Sequence, residues 1–225
     1  MNPEAEEFFK KIGFRFTVGY GMTECAPLIS HSFWHEFKLH SVGKILPTME
    51  AKILSNDPQN EVGEIIVRGE NVMLGYYKNE EATRLAIDEE GWLHTGDMGT
   101  IDPDGTLYIR GRCKTMILTG SGQNIYPEEI EDKLNNMPLI LESLVLENDG
   151  KLYGLVVPDF ETCEKEGISR EQLENTMQEN LKNLNSQVAA YERLVSISIY
   201  PSEFEKTPKK SIKRYLYNVA KLGIQ

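Results

Sequence analysis

The chain has 225 residues, 40% of them hydrophobic and 26% charged, and a formal net charge of -11. That length carries one large domain or two modest ones, each with its own core, and the acidic balance argues against nucleic-acid binding, whose affinity is dominated by phosphate neutralisation. Cys25, Cys113 and Cys163 are widely spaced and form no CxxC pair, which fits a reducing compartment and argues against a disulfide framework or a zinc site.

The opening, MNPEAEEFFKK, lacks the apolar core of a signal peptide. It reads as a helix, with Asn2 as cap, Pro3 at the first helical position, Glu4, Glu6 and Glu7 complementing the dipole, and Gly13 as the stop. No apolar run reaches the length of a membrane span, so the expectation is a soluble, cytoplasmic protein. A chain that opens directly on a helix is also compatible with one cut from something longer.

From about residue 14 to 112 strand patterns dominate. RFTVGY, MEAKIL and VGEIIVRG read as strands, NEEATRLAI as a short helix, and MGTIDPDGTLYIRG as a hairpin turning at Asp104-Gly105. Many short strands with glycine turns predict a barrel or a small sandwich. After GRCK the texture changes. KTMILT reads as a strand entering the loop GSGQN, followed by a helix from Pro127 with Ile130, Leu134 and Met137 on one face. Two strands, LILESLVLE and LYGLVVPD, join at Asp149-Gly150. A long helix begins at the Ser169/Gln172 capping box, with Leu173, Met177, Leu181, Leu184 and Val188 as its apolar stripe. LVSISIYP is a last strand, and a last helix is expected from Ser211. The expected fold is α+β: a β-rich, barrel-like subdomain in residues 1–112, then a small α+β domain in residues 113–225, with the boundary at 112–114.

Four segments carry candidate chemistry. In YGMTE, a turn supported by Gly21 presents Thr23 as a donor to a phosphate oxygen and Glu24 as a hard oxygen for Mg²⁺. The alternative is a turn with a polar surface pair. In GWLHTGDMG, Asp97 after a Thr-Gly turn suits two vicinal hydroxyls, as a ribose presents them, or caps its own turn. His94 has no second ligand at metal spacing and reads as structural. In IRGRCKTMILTGSGQNIYPEEIE, Gly120 and Gly122 permit close approach of a ligand. Neither GxxxxGK[ST] nor a GxGxxG opening a helix is present, so this loop is not the main triphosphate cradle, and PEEIE reads as a solvated helix start. In EKTPKKSIKR, a lysine would neutralise charge developing on a phosphate, or the stretch is a solvated basic face.

Taken in order, GYGMTE, SVGKILP, GEIIVRGENVMLGYYKNEEAT, GWLHTGD, DGTLYIRGR, KTMILTGSGQNIYPEEIE and EKTPKKSIKR resemble the adenylate-forming superfamily over essentially the whole chain. That group comprises acyl-CoA synthetases, luciferases and the adenylation domains of peptide synthetases. GYYKNEEAT, GSGQNIYPEEIE and TPxxxIKR look most like long-chain fatty acyl-CoA ligases. The resemblance implies two steps: a carboxylate attacks the α-phosphorus of ATP and releases pyrophosphate, then a thiol, usually of CoA, attacks the acyl-adenylate and releases AMP. It implies that Thr23 contacts the α-phosphate, Glu24 holds Mg²⁺, and Tyr20 lies against adenine. It also implies that Asp97 and Arg112 hold the ribose hydroxyls, that Lys114 is the hinge of a mobile small domain, and that Gly122 lies beside the pantetheine path.

Two departures stand out. The family's phosphate-cradling loop and most of its acyl pocket lie upstream and are not in this chain, which predicts a C-terminal fragment unable to adenylate alone. The family's C-terminal motif reads roughly T-x-S-G-K-I-x-R, but here Ser211 takes the lysine position; Lys210 is the nearest substitute and Lys209 the next. The expected partners are a fatty acid, ATP, CoA and the missing N-terminal part, with no nucleic acid; a peripheral membrane contact and the oligomeric state stay open. The alternatives are a ligase for another acid or a carrier-protein acceptor, and a non-catalytic nucleotide-binding homologue.

Overall fold

The computed structural model describes residues 3–120, 122–208 and 210–223. They form two compact units, Met1–Lys114 and Thr115–Gln225.

The first unit opens on α1 (Pro3–Lys11), closed by Gly13 at φ 71°. Glu6 does more than complement the dipole: it is buried, and its Oε2 accepts the His40 backbone N–H at 2.7 Å. Asn2, expected as the cap, lies outside the described residues. Of RFTVGY, only its end enters a strand, β1 (Tyr20–Gly21). A strand needs a neighbouring backbone, and the ladder to β2 (Leu28–His31) starts at Tyr20↔Ser30. β2 pairs in turn with β3 (Lys44–Ile45).

The second sheet is an antiparallel meander: β4 (Met49–Leu54), β5 (Gly63–Gly69), β6 (Leu93–Ile101) and β7 (Leu107–Arg112), adjacent in sequence order. α2 (Glu80–Ala86) lies between β5 and β6, with the Asn79 side chain accepting from the Ala82 N–H. The expected barrel is not closed. Leu107 of β7 bonds outward to Val42 and Gly43, at 2.9 Å each, instead of pairing with β4. Alternate residues of the strands, Ile53, Ile65, Val67, Leu93 and Leu107, fill the core together with Ile29.

The second unit begins with a two-residue pairing of β8 (Ile117–Leu118) and β9 (Asn124–Ile125). α3 (Pro127–Leu134) follows, then β10 (Ile140–Asn148) and β11 (Lys151–Pro158), an antiparallel hairpin turning at Asp149-Gly150 with both residues at positive φ. α4 (Phe160–Glu166) was not expected from the sequence, although Asp159 caps it and Gly167 at φ 65° stops it. α5 (Arg170–Gln187) has both bonds of the Ser169/Gln172 capping box; Val188 lies just past its end. The two helices form the crossover that parallel pairing requires, and β12 (Leu194–Ile199) lies parallel to β11. Period-two alternation buries both faces of this sheet. Val145 and Val156 meet α3 and α5 through Leu134, Met177 and Leu184. Leu144, Leu155 and Val157 meet Phe204, Tyr217 and Val219.

The helix expected from Ser211 does not form there. The described residues of the 206–212 segment fold back as a hairpin-like loop, with Lys206 bridged to Ile212 and Thr207 N–H donating to Ser211 O at 2.8 Å. Lys210 sits at φ 62°, outside helical space. Among the described residues the helix that follows is a single 3₁₀ turn at Arg214–Leu216 and the short α6 (Val219–Leu222), capped by Asn218.

Candidate functional site

The first unit carries a polar cluster built by strand pairing. Asp97 on β6 lies directly across from Arg112 on β7. Its Oδ1 is 3.1 Å from Arg112 Nε, and its Oδ2 accepts from the Tyr20 hydroxyl at 2.6 Å. Asp97 is buried while the Arg112 side chain is 69% exposed. The pair therefore joins an interior carboxylate to a cation at the surface. Burial, and after it the bond to Asp97, pushes the Tyr20 phenol far above the ordinary tyrosine range. Tyr20 stays a neutral donor and leaves the negative charge on Asp97.

Asp97 stands at the end of a bulge. β5 and β6 pair at Ile66↔His94 and again at Glu64↔Met98, so Thr95, Gly96 and Asp97 face Ile65 alone. Gly96 takes φ 70°, which a glycine adopts without strain. Bulges re-aim a side chain beside a site. The aspartate is visible in the sequence but the bulge is not, because the extra residues show only against the partner strand.

The loop after β1 holds Thr23, exposed, and Glu24, half-buried. Three residues of the segment after β5 grip this loop. Asn71 Nδ2 donates to Cys25 O at 2.6 Å and Leu28 O at 3.0 Å, Met73 N–H donates to Glu24 O at 2.7 Å, and the Tyr76 hydroxyl donates to Glu24 Oε1 at 2.9 Å. That last bond raises the Tyr76 phenol above its ordinary value and leaves Glu24 Oε2 as the remaining acceptor. No role for Asn71 or Tyr76 was legible in the sequence, since both act across long chain separations. Gly21 permits the turn by close approach: a Cβ there would lie 2.0 Å from Pro27 O. Gly21→Ala should therefore destabilise the first unit by about 1–3 kcal/mol. Thermal unfolding followed by tryptophan emission checks this, because Trp34 and Trp92 both lie in that unit.

Lys114 is exposed and ends the first unit. In the second unit Gly122 is exposed at φ 82°, its N–H donating to Thr119 O at 2.9 Å. Lys210 and Ser211 are exposed on the 206–212 loop; Lys209 lies outside the described residues. The base of this loop is tied down by ion pairs. Lys206 meets Glu142, Lys213 Nζ lies 3.3 Å from Glu205, and Arg214 meets Glu131 and, at 3.6 Å, Glu128. PEEIE is thus not simply a solvated helix start. Glu131 is buried, and its other oxygen accepts the Val145 N–H at 2.6 Å. Burial pushes its carboxyl up to about 7, against the opposing pull of Arg214. Among the described residues no group of three or more His, Cys, Asp or Glu is placed to hold a metal, and no helix is long and apolar enough to cross a membrane.

The family model described as AMP-binding enzyme matches residues 1–77, and the one described as AMP-binding enzyme C-terminal domain matches residues 114–219. A long-chain-fatty-acid–CoA ligase of Rattus norvegicus is 35% identical over 158 residues, 70% of this chain and 22% of the relative. A long-chain-fatty-acid–CoA ligase of Salmonella typhimurium is 46% identical over 138 residues, 59% of this chain and 24% of the relative. The chain thus spans about a quarter of the length of these curated relatives. Among solved structures, the o-succinylbenzoate CoA synthetase of Bacillus subtilis in complex with AMP superposes with a TM-score of 0.75 at 28% identity, covering 95% of this chain and 43% of that one. An anthranilate CoA ligase in complex with anthranoyl-AMP superposes with a TM-score of 0.78 at 26% identity, covering 97% and 41%. With the ordered motifs and two matching folds, the chain belongs to the AMP-binding, adenylate-forming enzyme family.

Proposed function

We propose that this chain is the C-terminal portion of an AMP-forming acid–CoA ligase acting on long-chain fatty acids. The observation that carries the nucleotide part of the proposal is the buried Asp97, bonded by Tyr20 and paired with Arg112 at a strand end. A ribose presents two vicinal hydroxyls, and a buried carboxylate accepts both more strongly than an exposed one. Tyr20 lies against adenine, Thr23 donates to the α-phosphate, and Lys114 is the hinge between the half-reactions. Gly122 lies beside the pantetheine path, and Lys210 takes the charge-bridging role in place of Ser211. Glu24 would hold Mg²⁺: one of its oxygens is oriented by Tyr76 and the other is a hard acceptor of the kind the ion takes. When bound, the ion neutralises phosphate charge.

The fatty-acid reading draws support from the ligases of Rattus norvegicus and Salmonella typhimurium. A second reading, a ligase for an aromatic acid, draws on the o-succinylbenzoate and anthranilate enzymes among the structural relatives. ATP–pyrophosphate exchange tests both. We expect none from the 225-residue chain alone and hexadecanoate-dependent exchange once the reading frame is extended upstream. Exchange with aromatic acids only transfers the proposal to the second reading. Exchange with no acid leaves a nucleotide-binding homologue. In the extended protein, Lys210→Ala should cut adenylation on the order of 10²-fold and spare thioester formation; an unchanged rate removes Lys210 from the role.

A further inference from the structure

Glu64 of β5 and His94 of β6 meet behind the Asp97 bulge. Glu64 uses both oxygens. Oε1 accepts the Gly96 N–H at 3.1 Å, and Oε2 lies 2.9 Å from His94 Nδ1. A carboxylate only accepts, which puts the proton of that pair on Nδ1. His94 Nε2 lies 3.7 Å from Asp88 Oδ2, so the ring is held from both sides.

The bulge explains why a carboxylate is there. Residues 95–97 face Ile65 alone and give up regular pairing with β5. Side chains replace the lost bonds: Thr95 Oγ1 donates to Ile65 O at 2.7 Å, Asp97 N–H donates to Thr95 Oγ1 at 3.1 Å, and Gly96 N–H goes to Glu64. On the other edge Gly96 O accepts the Cys113 N–H at 2.9 Å. Gly96 is the flexible residue of the three, at φ 70° with nothing within 4 Å of where a Cβ would lie, so no side-chain packing holds it. Its backbone is fixed by hydrogen bonds, and the Glu64 bond is the charge-assisted one.

We propose that Glu64, steadied by His94, is the positioning residue for Asp97: it fixes the Gly96 peptide and so sets the direction of the carboxylate that meets the nucleotide. This rests on the reading of Asp97 as a ribose contact.

The test compares Glu64→Ala and Glu64→Gln with the parent chain by AMP calorimetry and by amide NMR. The parent's Gly96 amide proton should resonate downfield, as a donor to a carboxylate. Glu64→Ala should move it upfield, shift the Arg112 Nε–H signal and weaken AMP about tenfold, with Trp92 emission kept. Glu64→Gln retains an acceptor and should stay within about threefold of the parent. Unmoved Gly96 and Arg112 signals in Glu64→Ala, or unchanged AMP affinity where the parent binds, overturn the proposal. A parent that binds no AMP sinks the nucleotide reading, while the two NMR signals still decide whether Glu64 positions Asp97. Should Glu64→Ala not fold, His94→Ala replaces it: with the Glu64 carboxylate released on one side, the Gly96 signal should broaden or shift, and an unmoved signal overturns the proposal.

Discussion

Arg214→Ala should destabilise the second unit by about 3 kcal/mol at pH 9, because it leaves the buried Glu131 charge without its counter-ion. The loss should be smaller at pH 6. In the parent, burial pushes Glu131 up to about 7 from an ordinary 4.5, against the pull of Arg214 and the Val145 N–H. Below about 4.5 the group is protonated whether the chain is folded or unfolded, and it contributes nothing to the pH dependence. Between that point and about 7 the unfolded chain loses the proton first, so stability falls as pH rises, then levels off above 7. Without Arg214 the folded carboxyl keeps its proton to still higher pH. The variant's deficit relative to the parent therefore widens from pH 6 to pH 9. Glu131→Gln in the same background should restore most of it at pH 9. Both tryptophans lie in the first unit, so the measurement is hydrogen exchange at the Val145 amide, which donates to Glu131. A deficit independent of pH would assign the loss to Arg214 packing rather than to charge.

Asp97→Asn should weaken AMP binding about a hundredfold. Hydrogen bonds to a charged acceptor contribute about 1.5–3 kcal/mol each, and two ribose hydroxyls depend on this carboxylate in the proposed site. The asparagine keeps the volume and one acceptor for the Tyr20 hydroxyl, so the first unit should fold as before and Trp92 emission should not move. Calorimetry with AMP on parent and variant makes the comparison. A change below about threefold would remove Asp97 from the nucleotide site and leave its bonds to Tyr20 and Arg112 as structural. The expected loss exceeds the tenfold given for Glu64→Ala because Asp97 touches the ligand, whereas Glu64 acts through the Gly96 peptide.

Several elements were legible because their signals are local. The Ser169/Gln172 capping box, the Asp104-Gly105 and Asp149-Gly150 turns and the Ile130 and Leu134 face of α3 each lie within a few residues, and the structure has them, although α3 ends at Leu134 and Met137, expected on the same face, lies past it. α4 was missed although its cap, Asp159, and its stop, Gly167, were in view. RFTVGY and the segment from Ser211 misled for opposite reasons. The first has strand chemistry but meets a partner only at Tyr20, and the second has helix-forming residues but is drawn into a loop anchored by Lys206 on Glu142 and Arg214 on Glu131.

The candidate site divides along the same line. The sequence by itself determined which residue types are present and in what order: Tyr20, Thr23, Glu24, Asp97 and Arg112, the lysines flanking Ser211, and the family they mark. Only the tertiary structure decided that Asp97 is buried between Tyr20 and Arg112 and that Tyr76 orients Glu24. It alone decided that Glu64 and His94 stand behind the bulge, and that the last glutamate of PEEIE is interior. The physical reason is chain separation. Tyr20 and Asp97 are 77 residues apart, and Glu131 and Arg214 are 83. Pairing at that distance is fixed by sheet register and core packing, which no short stretch of sequence encodes by itself.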